Sequence, residues 1–60
     1  MKKRHFMVVL SKCEVERFTK KGYSRVKAIE LAMHKHDYYI SQCEFYYTEF
    51  KNTYHVFVMC

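Results

Sequence analysis

The stretch EFYYTEFKNTYHVFVM, residues 44–59, alternates its side chains with a period of two on either side of Lys51-Asn52. Such alternation is typical of β-strands, and asparagine tolerates the positive φ of a two-residue hairpin turn. The stretch therefore predicts a β-hairpin, with Lys51-Asn52 as its turn. The predicted register pairs Phe50 with Thr53, Thr48 with His55, and Tyr46 with Phe57.

The two faces of this predicted hairpin differ in chemistry. The more aliphatic face, which we expect to pack under a helix, carries Phe45, Tyr47, Glu49, Tyr54, Val56 and Val58. The other face is aromatic but mixed with polar groups, and it carries Tyr46, Thr48, Phe50, His55, Phe57 and Met59.

A further strand is predicted near the start of the chain, in HFMVVL (5–10). The segment is rich in residues that favour strands. It is apolar on both faces, with Phe6, Val8 and Leu10 on one and Met7 and Val9 on the other. A strand of this kind is usually central in its sheet or covered on both sides.

A short helix is predicted in KCEVERFTKK, because Ser11 and Glu14 match a capping box. Gly22 would be its C′ residue, in the left-handed conformation that ends many helices. The alternative is that the first strand continues to about Phe18, since Cys13 and Val15 keep strand parity.

A second, main helix is predicted over residues 25–36, with Ser24 as its N-cap. Its apolar residues recur at helical spacing, which indicates one buried face. The members of that face are Val26, Ile29, Ala32, Met33 and His36, widened by Ala28 and Leu31.

These elements predict a single small α+β domain over residues 1–60, in the order β-α(α)-β-β. Its three-stranded sheet, antiparallel or mixed, would carry the main helix on one face. One helix cannot cover both faces, and a domain this small has a marginal core. We therefore expect a homodimer or another protein partner on the uncovered face. The predicted interface residues are Tyr46, Phe50, His55, Phe57 and Met59.

Charge is distributed unevenly along the chain. The formal net charge is +5, and residues 1–35 hold ten of the eleven Lys and Arg residues. A basic amino-terminal half indicates a polyanionic partner such as nucleic acid, which makes DNA binding the first functional hypothesis. The predicted phosphate-binding residues are Lys2, Lys3, Arg4, Arg17, Lys20, Lys21, Arg25 and Lys27.

Three alternatives remain open at this point. Helix, glycine turn, helix and hairpin also outline a compact winged helix-turn-helix, whose recognition helix would present Arg25, Lys27 and Lys35. The aromatic hairpin face could instead stack bases. The chain could also be a protein-interaction module, or an inhibitor of a partner protein, that acts through that face or through strand edges. Chains of this size are common among phage and mobile-element proteins.

Part of the chain resembles a ubiquitin-associated domain. VERFTKKGYSRVKAIELA follows that family's order of apolar, Gly-aromatic-Ser and Ala-Ile positions. The residues that match are Val15, Phe18, Gly22, Tyr23, Ala28, Ile29 and Ala32. The resemblance implies a third helix over DYYISQCEF and a role in protein binding.

Catalysis, cofactors and metals are not predicted. A single glycine excludes a glycine-rich phosphate loop, and on a helix His34 and His36 point in different directions. The odd cysteine count predicts free thiols at Cys13, Cys43 and Cys60. The apolar run 6–10 is too short for a secretory leader or a membrane span, so we expect a cytoplasmic protein with no membrane partner.

Overall fold

The computed structural model describes residues 5–60 and has the predicted α+β architecture. Two helices and three strands follow one another in the expected order. The elements are β1 (His5–Ser11), α1 (Lys12–Thr19), α2 (Arg25–Lys35), β2 (Glu44–Glu49) and β3 (Thr53–Met59). In the part of the chain that the structure describes, no helix is long and apolar enough to cross a membrane.

The sheet is antiparallel throughout, with strand order β1-β3-β2. The predicted hairpin register is confirmed, since Thr48 pairs with His55 and Tyr46 with Phe57. The Phe50 N–H donates to the Thr53 carbonyl at 2.8 Å and closes the turn. The positive φ expected at Asn52 is wrong, because among residues 5–60 only Gly22 and Asp37 have a positive φ. The central position expected for the first strand is wrong. β1 lies at an edge, and β3 is central because it pairs on both sides.

The hydrophobic core lies between the helices and one face of the sheet. That face is the aliphatic one that the hairpin pattern predicted, extended by β1. The fully buried residues are Leu10, Val15, Ala28, Ile29, Ala32, Met33, Ile40, Tyr54, Val56 and Val58. Val26 was expected on the buried face of the main helix but is 51% exposed, and His36 is exposed as well. The buried stripe of α2 is therefore narrower than the sequence indicated.

Residues 12–19 form a helix, and the strand alternative is wrong. Ser11 is the N-cap, and its Oγ accepts from the Glu14 N–H at 3.2 Å. The Glu14 carboxylate bonds the His36 Nε2 at 2.9 Å, so it does not complete the reciprocal bond of a capping box. This contact joins the start of α1 to the end of α2.

Gly22 ends α1 in a Schellman motif. The Tyr23 N–H donates to the Phe18 carbonyl at 3.3 Å, and the Gly22 N–H donates to the Thr19 carbonyl at 3.0 Å. Gly22 has a φ of 105°, a conformation that residues with a Cβ rarely adopt. The rings of Phe18 and Tyr23 meet edge to face at 6.3 Å, the apolar contact that accompanies this motif. The predicted role of Gly22 is confirmed.

The second helix also begins at a serine N-cap and is followed by a residue with a positive φ. Ser24 is the N-cap, as predicted, and its Oγ accepts from the Lys27 N–H at 3.2 Å. At the other end the Tyr38 N–H donates to the Met33 carbonyl at 3.0 Å. Asp37 takes the left-handed position there, with a φ of 65°. The helix ends at Lys35, one residue earlier than predicted.

Two sequence-based expectations are wrong near the start of β2. Cys43 and Cys60 are not free thiols but form a disulfide, with their Cα atoms 4.5 Å apart. They continue the hairpin register by one residue beyond the pair Glu44 and Met59. Cys13 is free and exposed. The third helix of a ubiquitin-associated domain is also absent from residues 38–43, and Glu44–Glu49 is a strand.

Candidate nucleic-acid interface and open sheet face

Three of the predicted phosphate-binding residues form a cluster at the end of α1. Arg17, Lys20 and Lys21 are exposed, and none of them has an ion-pair partner among residues 5–60. Lys20 keeps helical dihedrals, φ −65° and ψ −24°. Residues three and four apart on a helix share one side, so Arg17 and Lys20 lie on the same side. We call Arg17, Lys20 and Lys21 the basic cluster.

The cluster is held by the apolar packing beneath it. The Lys21 ammonium lies 5.8 Å from the centroid of the Phe18 ring. Phe18 in turn packs against the hydrophobic core and against Tyr23. The Schellman motif at Gly22 therefore positions the two lysines beside Arg17, because it fixes the direction in which the chain leaves α1.

Two other predicted residues, Arg25 and Lys27, lie just beyond this turn but have acidic neighbours. The Arg25 Nη1 is 3.6 Å from Glu49 Oε1, and the Lys27 Nζ is 3.6 Å from Glu30 Oε2. Both side chains remain about half exposed, at 54% and 50%. Their charge is therefore partly neutralised within the chain. The remaining predicted residues, Lys2, Lys3 and Arg4, lie outside the described residues.

The Glu49 carboxylate also binds Lys12, a residue that the sequence did not single out. The Lys12 Nζ donates to Glu49 Oε2 at 2.6 Å. This hydrogen bond lowers the pKa of Glu49 below its usual value and raises the pKa of Lys12. Lys12 thus links the start of α1 to the end of β2, and its charge is paired with the Glu49 carboxylate.

The two histidines near the end of α2 have separate partners. The His36 Nε2 lies 2.9 Å from Glu14, whereas the His34 Nε2 is 4.0 Å from Glu30 and has no hydrogen bond. The His34 ring packs on Tyr39, with centroids 5.2 Å apart. Within residues 5–60 no three His, Cys, Asp or Glu side chains come together in a way that could hold a metal ion.

No helix or strand formed by residues 5–60 covers the sheet face opposite the helices. Its side chains form cross-strand rows that run from β1 through β3 to β2. The rows are His5 with Met59 and Glu44, Met7 with Phe57 and Tyr46, and Val9 with His55 and Thr48, followed by Ser11 with Thr53. Phe50 lies beside the last two rows, because its ring centroid is 4.1 Å from that of His55. We call these residues the open face.

The open face contains all five predicted interface residues. Tyr46 is 58% exposed, and its ring stacks on Phe57 with centroids 5.3 Å apart. The structure adds Met7 and Val9 from β1, which are 50% and 51% exposed. The sequence showed that Met7 and Val9 share one face of β1. It did not show that they lie beside Phe57 and His55, because that depends on the pairing of β1 with β3.

The rows of the open face contain no lysine or arginine. The basic cluster is on the helical side of the sheet, where α1 and α2 contribute to the core. The two candidate surfaces are therefore separate. Comparisons of the chain with protein-family profiles, curated protein sequences and solved structures find no significant match.

Proposed function

We propose that this protein binds nucleic acid, with DNA as the first candidate, through phosphate contacts at the basic cluster. The observation that carries the proposal is that Arg17, Lys20 and Lys21 are adjacent and exposed, with no carboxylate partner among the described residues. Arg25 and Lys27 extend this surface with half-exposed charges. The role is binding and regulation, without catalysis.

The energetics of the cluster support an anionic partner. Like charges three or four residues apart on a helix repel one another. The negative end of the helix dipole offsets part of this repulsion at the end of α1. Phosphate oxygens would remove the rest, and release of their counterions favours binding.

The contacts that we propose are to the phosphate backbone rather than to base edges. The inner side of α2 is buried in the core through Ala28, Ile29, Ala32 and Met33. Its outer side includes Glu30, 3.6 Å from Lys27. A carboxylate there would bring negative charge close to a duplex if α2 entered the major groove. The winged helix-turn-helix hypothesis is therefore less well supported than binding at the turn.

The proposed location is the cytoplasm, where thiol buffers keep most cysteines reduced. The Cys43–Cys60 disulfide lies at the end of the hairpin away from its turn, and it involves none of the residues of the basic cluster. In a reducing compartment the hairpin register would rest on the ladders with β1 and β2 alone.

The test is fluorescence anisotropy with a labelled DNA duplex over a salt series. Log affinity falls with log salt with a slope of about −0.9 per phosphate neutralised, so three contacts give about −2.7. Affinity should therefore fall about 40-fold between about 50 and 200 mM salt. The variant Lys20→Gln/Lys21→Gln should reduce the slope by about 2.

A matched control removes the same charge elsewhere. Lys35→Gln/Lys51→Gln also lowers the net charge by two, and both lysines are exposed outside the cluster. It should leave the slope nearly unchanged. Equal effects of the two double variants would show that net charge alone attracts DNA. Absence of binding at low salt would refute the proposal outright.

A further inference from the structure

We infer that the open face is the contact surface of a homodimer, in which it packs against the same face of a second copy. Met7, Val9 and Tyr46 are each at least half exposed, at 50%, 51% and 58%. They adjoin the half-buried Phe57 and His55 in consecutive rows. A contiguous apolar patch of this kind on a monomer marks an interaction surface.

The charge of the face identifies the partner. Eight of the eleven Lys and Arg residues lie within residues 5–60, and none of these eight is in the rows of the open face. Among residues 5–60, a nucleic acid would find no Lys or Arg there to bind its phosphates. An acidic protein would find none either. A second copy brings a face that likewise lacks Lys and Arg in the described residues, so the two basic chains meet where their lysines and arginines do not oppose each other.

The few ionisable groups on the face favour one symmetry. His5 and Glu44 lie at opposite edges of the same row, on either side of Met59. A two-fold axis parallel to β3 places β1 of one copy over β2 of the other. His5 then lies opposite the partner's Glu44, twice by symmetry. An axis across the strands instead places His5 over the partner's Ser11 and Glu44 over the turn end of the partner's hairpin, where the nearest cation, Lys51, lies outside the rows of the open face.

The area of the face is small for a stable dimer. Strands of six and seven residues are about 20 to 23 Å long, and three strands are about 14 Å wide. The flat footprint is roughly 300 Å² per copy, or about 600 Å² in total before side-chain relief is added. Standard interfaces bury about 1,200–2,000 Å². We therefore expect a weak dimer, with a Kd of about 10 to 100 µM.

The experiment is sedimentation equilibrium of the full chain, without nucleic acid, from about 5 to 500 µM, which brackets that Kd. The chain offers a matched pair of variants, because Val9 on the open face and Val26 on α2 are both 51% exposed. Val9→Lys adds a cation to each half of the interface and should raise the Kd at least about 100-fold. Val26→Lys adds the same charge outside the open face and should leave the Kd within about threefold.

A second variant guards against misfolding of Val9→Lys. Tyr46→Ser removes a ring that is 58% exposed on the edge strand β2, and it should weaken the dimer at least about tenfold. Circular dichroism shows which variants keep the fold. The inference is wrong if the wild type stays monomeric at the highest concentration. It is equally wrong if a folded open-face variant dimerises like the wild type, or if Val26→Lys weakens the dimer as much as Val9→Lys.

Discussion

Reduction of the Cys43–Cys60 disulfide should remove a large share of the stability of this domain. The bond joins residues 17 apart in the sequence. Closing a loop of that length raises the free energy of the unfolded chain by about 3 kcal/mol at 25 °C, because it lowers the entropy of that chain. A domain of 60 residues has a total stability of about 3 to 9 kcal/mol. The native hairpin register already brings the two cysteines together, so reduced protein that is folded should keep that register.

The assay is urea denaturation followed by circular dichroism, with and without a phosphine reductant. An m-value of about 1 kcal/mol/M, usual for a small domain, converts the loss into a midpoint about 3 M lower. The variant Cys13→Ser should show the same shift, because Cys13 is free. The reasoning fails if oxidised and reduced protein unfold at the same urea concentration. It also fails if peptide mapping of the oxidised protein finds Cys13 in the bond.

Two further predictions concern local contacts. Gly22→Ala should lower the free energy of unfolding by about 1 to 2 kcal/mol, since a Cβ at Gly22 would meet no atom within 4 Å and the cost is that of the left-handed φ alone; an unchanged urea midpoint would contradict this. The pKa of Glu49 is lowered by the hydrogen bond from Lys12. Ionised Glu49 therefore stabilises the folded state above the ordinary carboxyl pKa of about 4.3, and this stabilisation is lost as pH falls through the lowered value. A pH series of urea midpoints should therefore fall less steeply in acid for Glu49→Gln than for the wild type, and parallel curves would refute the role assigned to Glu49.

The local elements of the fold could be predicted from the sequence because each has a local cause. The alternation of side chains on either side of Lys51-Asn52 predicted the hairpin register, and Ser11, Ser24 and Gly22 set helix boundaries through hydrogen bonds within a few residues. Such signals depend on backbone chemistry that the residue types themselves determine. Tertiary contacts could not be predicted in the same way.

One error involves contacts between distant segments. Two apolar parities in β1 indicated a central strand, yet Met7 and Val9 are exposed, because no helix among residues 5–60 covers that face. The disulfide is different, because the predicted register already placed Cys43 opposite Cys60. The odd number of cysteines led to the prediction of free thiols, although the predicted hairpin register implied that Cys43 and Cys60 lie opposite each other.

Among the basic residues too, the sequence could not reveal which charges are paired with a distant segment of the chain. A count of charges could not separate Arg17, Lys20 and Lys21 from Lys12, whose charge is bound to Glu49 at 2.6 Å. Glu49 and Lys12 are 37 residues apart in the sequence, and the pairing of both β1 and β2 with β3 brings the carboxylate to the start of α1. The effective phosphate surface is therefore smaller than the basic half of the chain suggested.

The separation of the two surfaces makes the two proposals independent. Val9→Lys raises the net charge of the chain by one without touching the basic cluster, so it should abolish the dimer while the salt slope for DNA stays the same. Lys20→Gln/Lys21→Gln lowers the net charge by two on the helical side, which should weaken DNA binding and leave the dimer intact. A protein that attracted DNA through net charge alone would respond to both variants in proportion to charge. Only a localised site responds to one of them, because counterion release depends on the phosphates in contact rather than on distant cations.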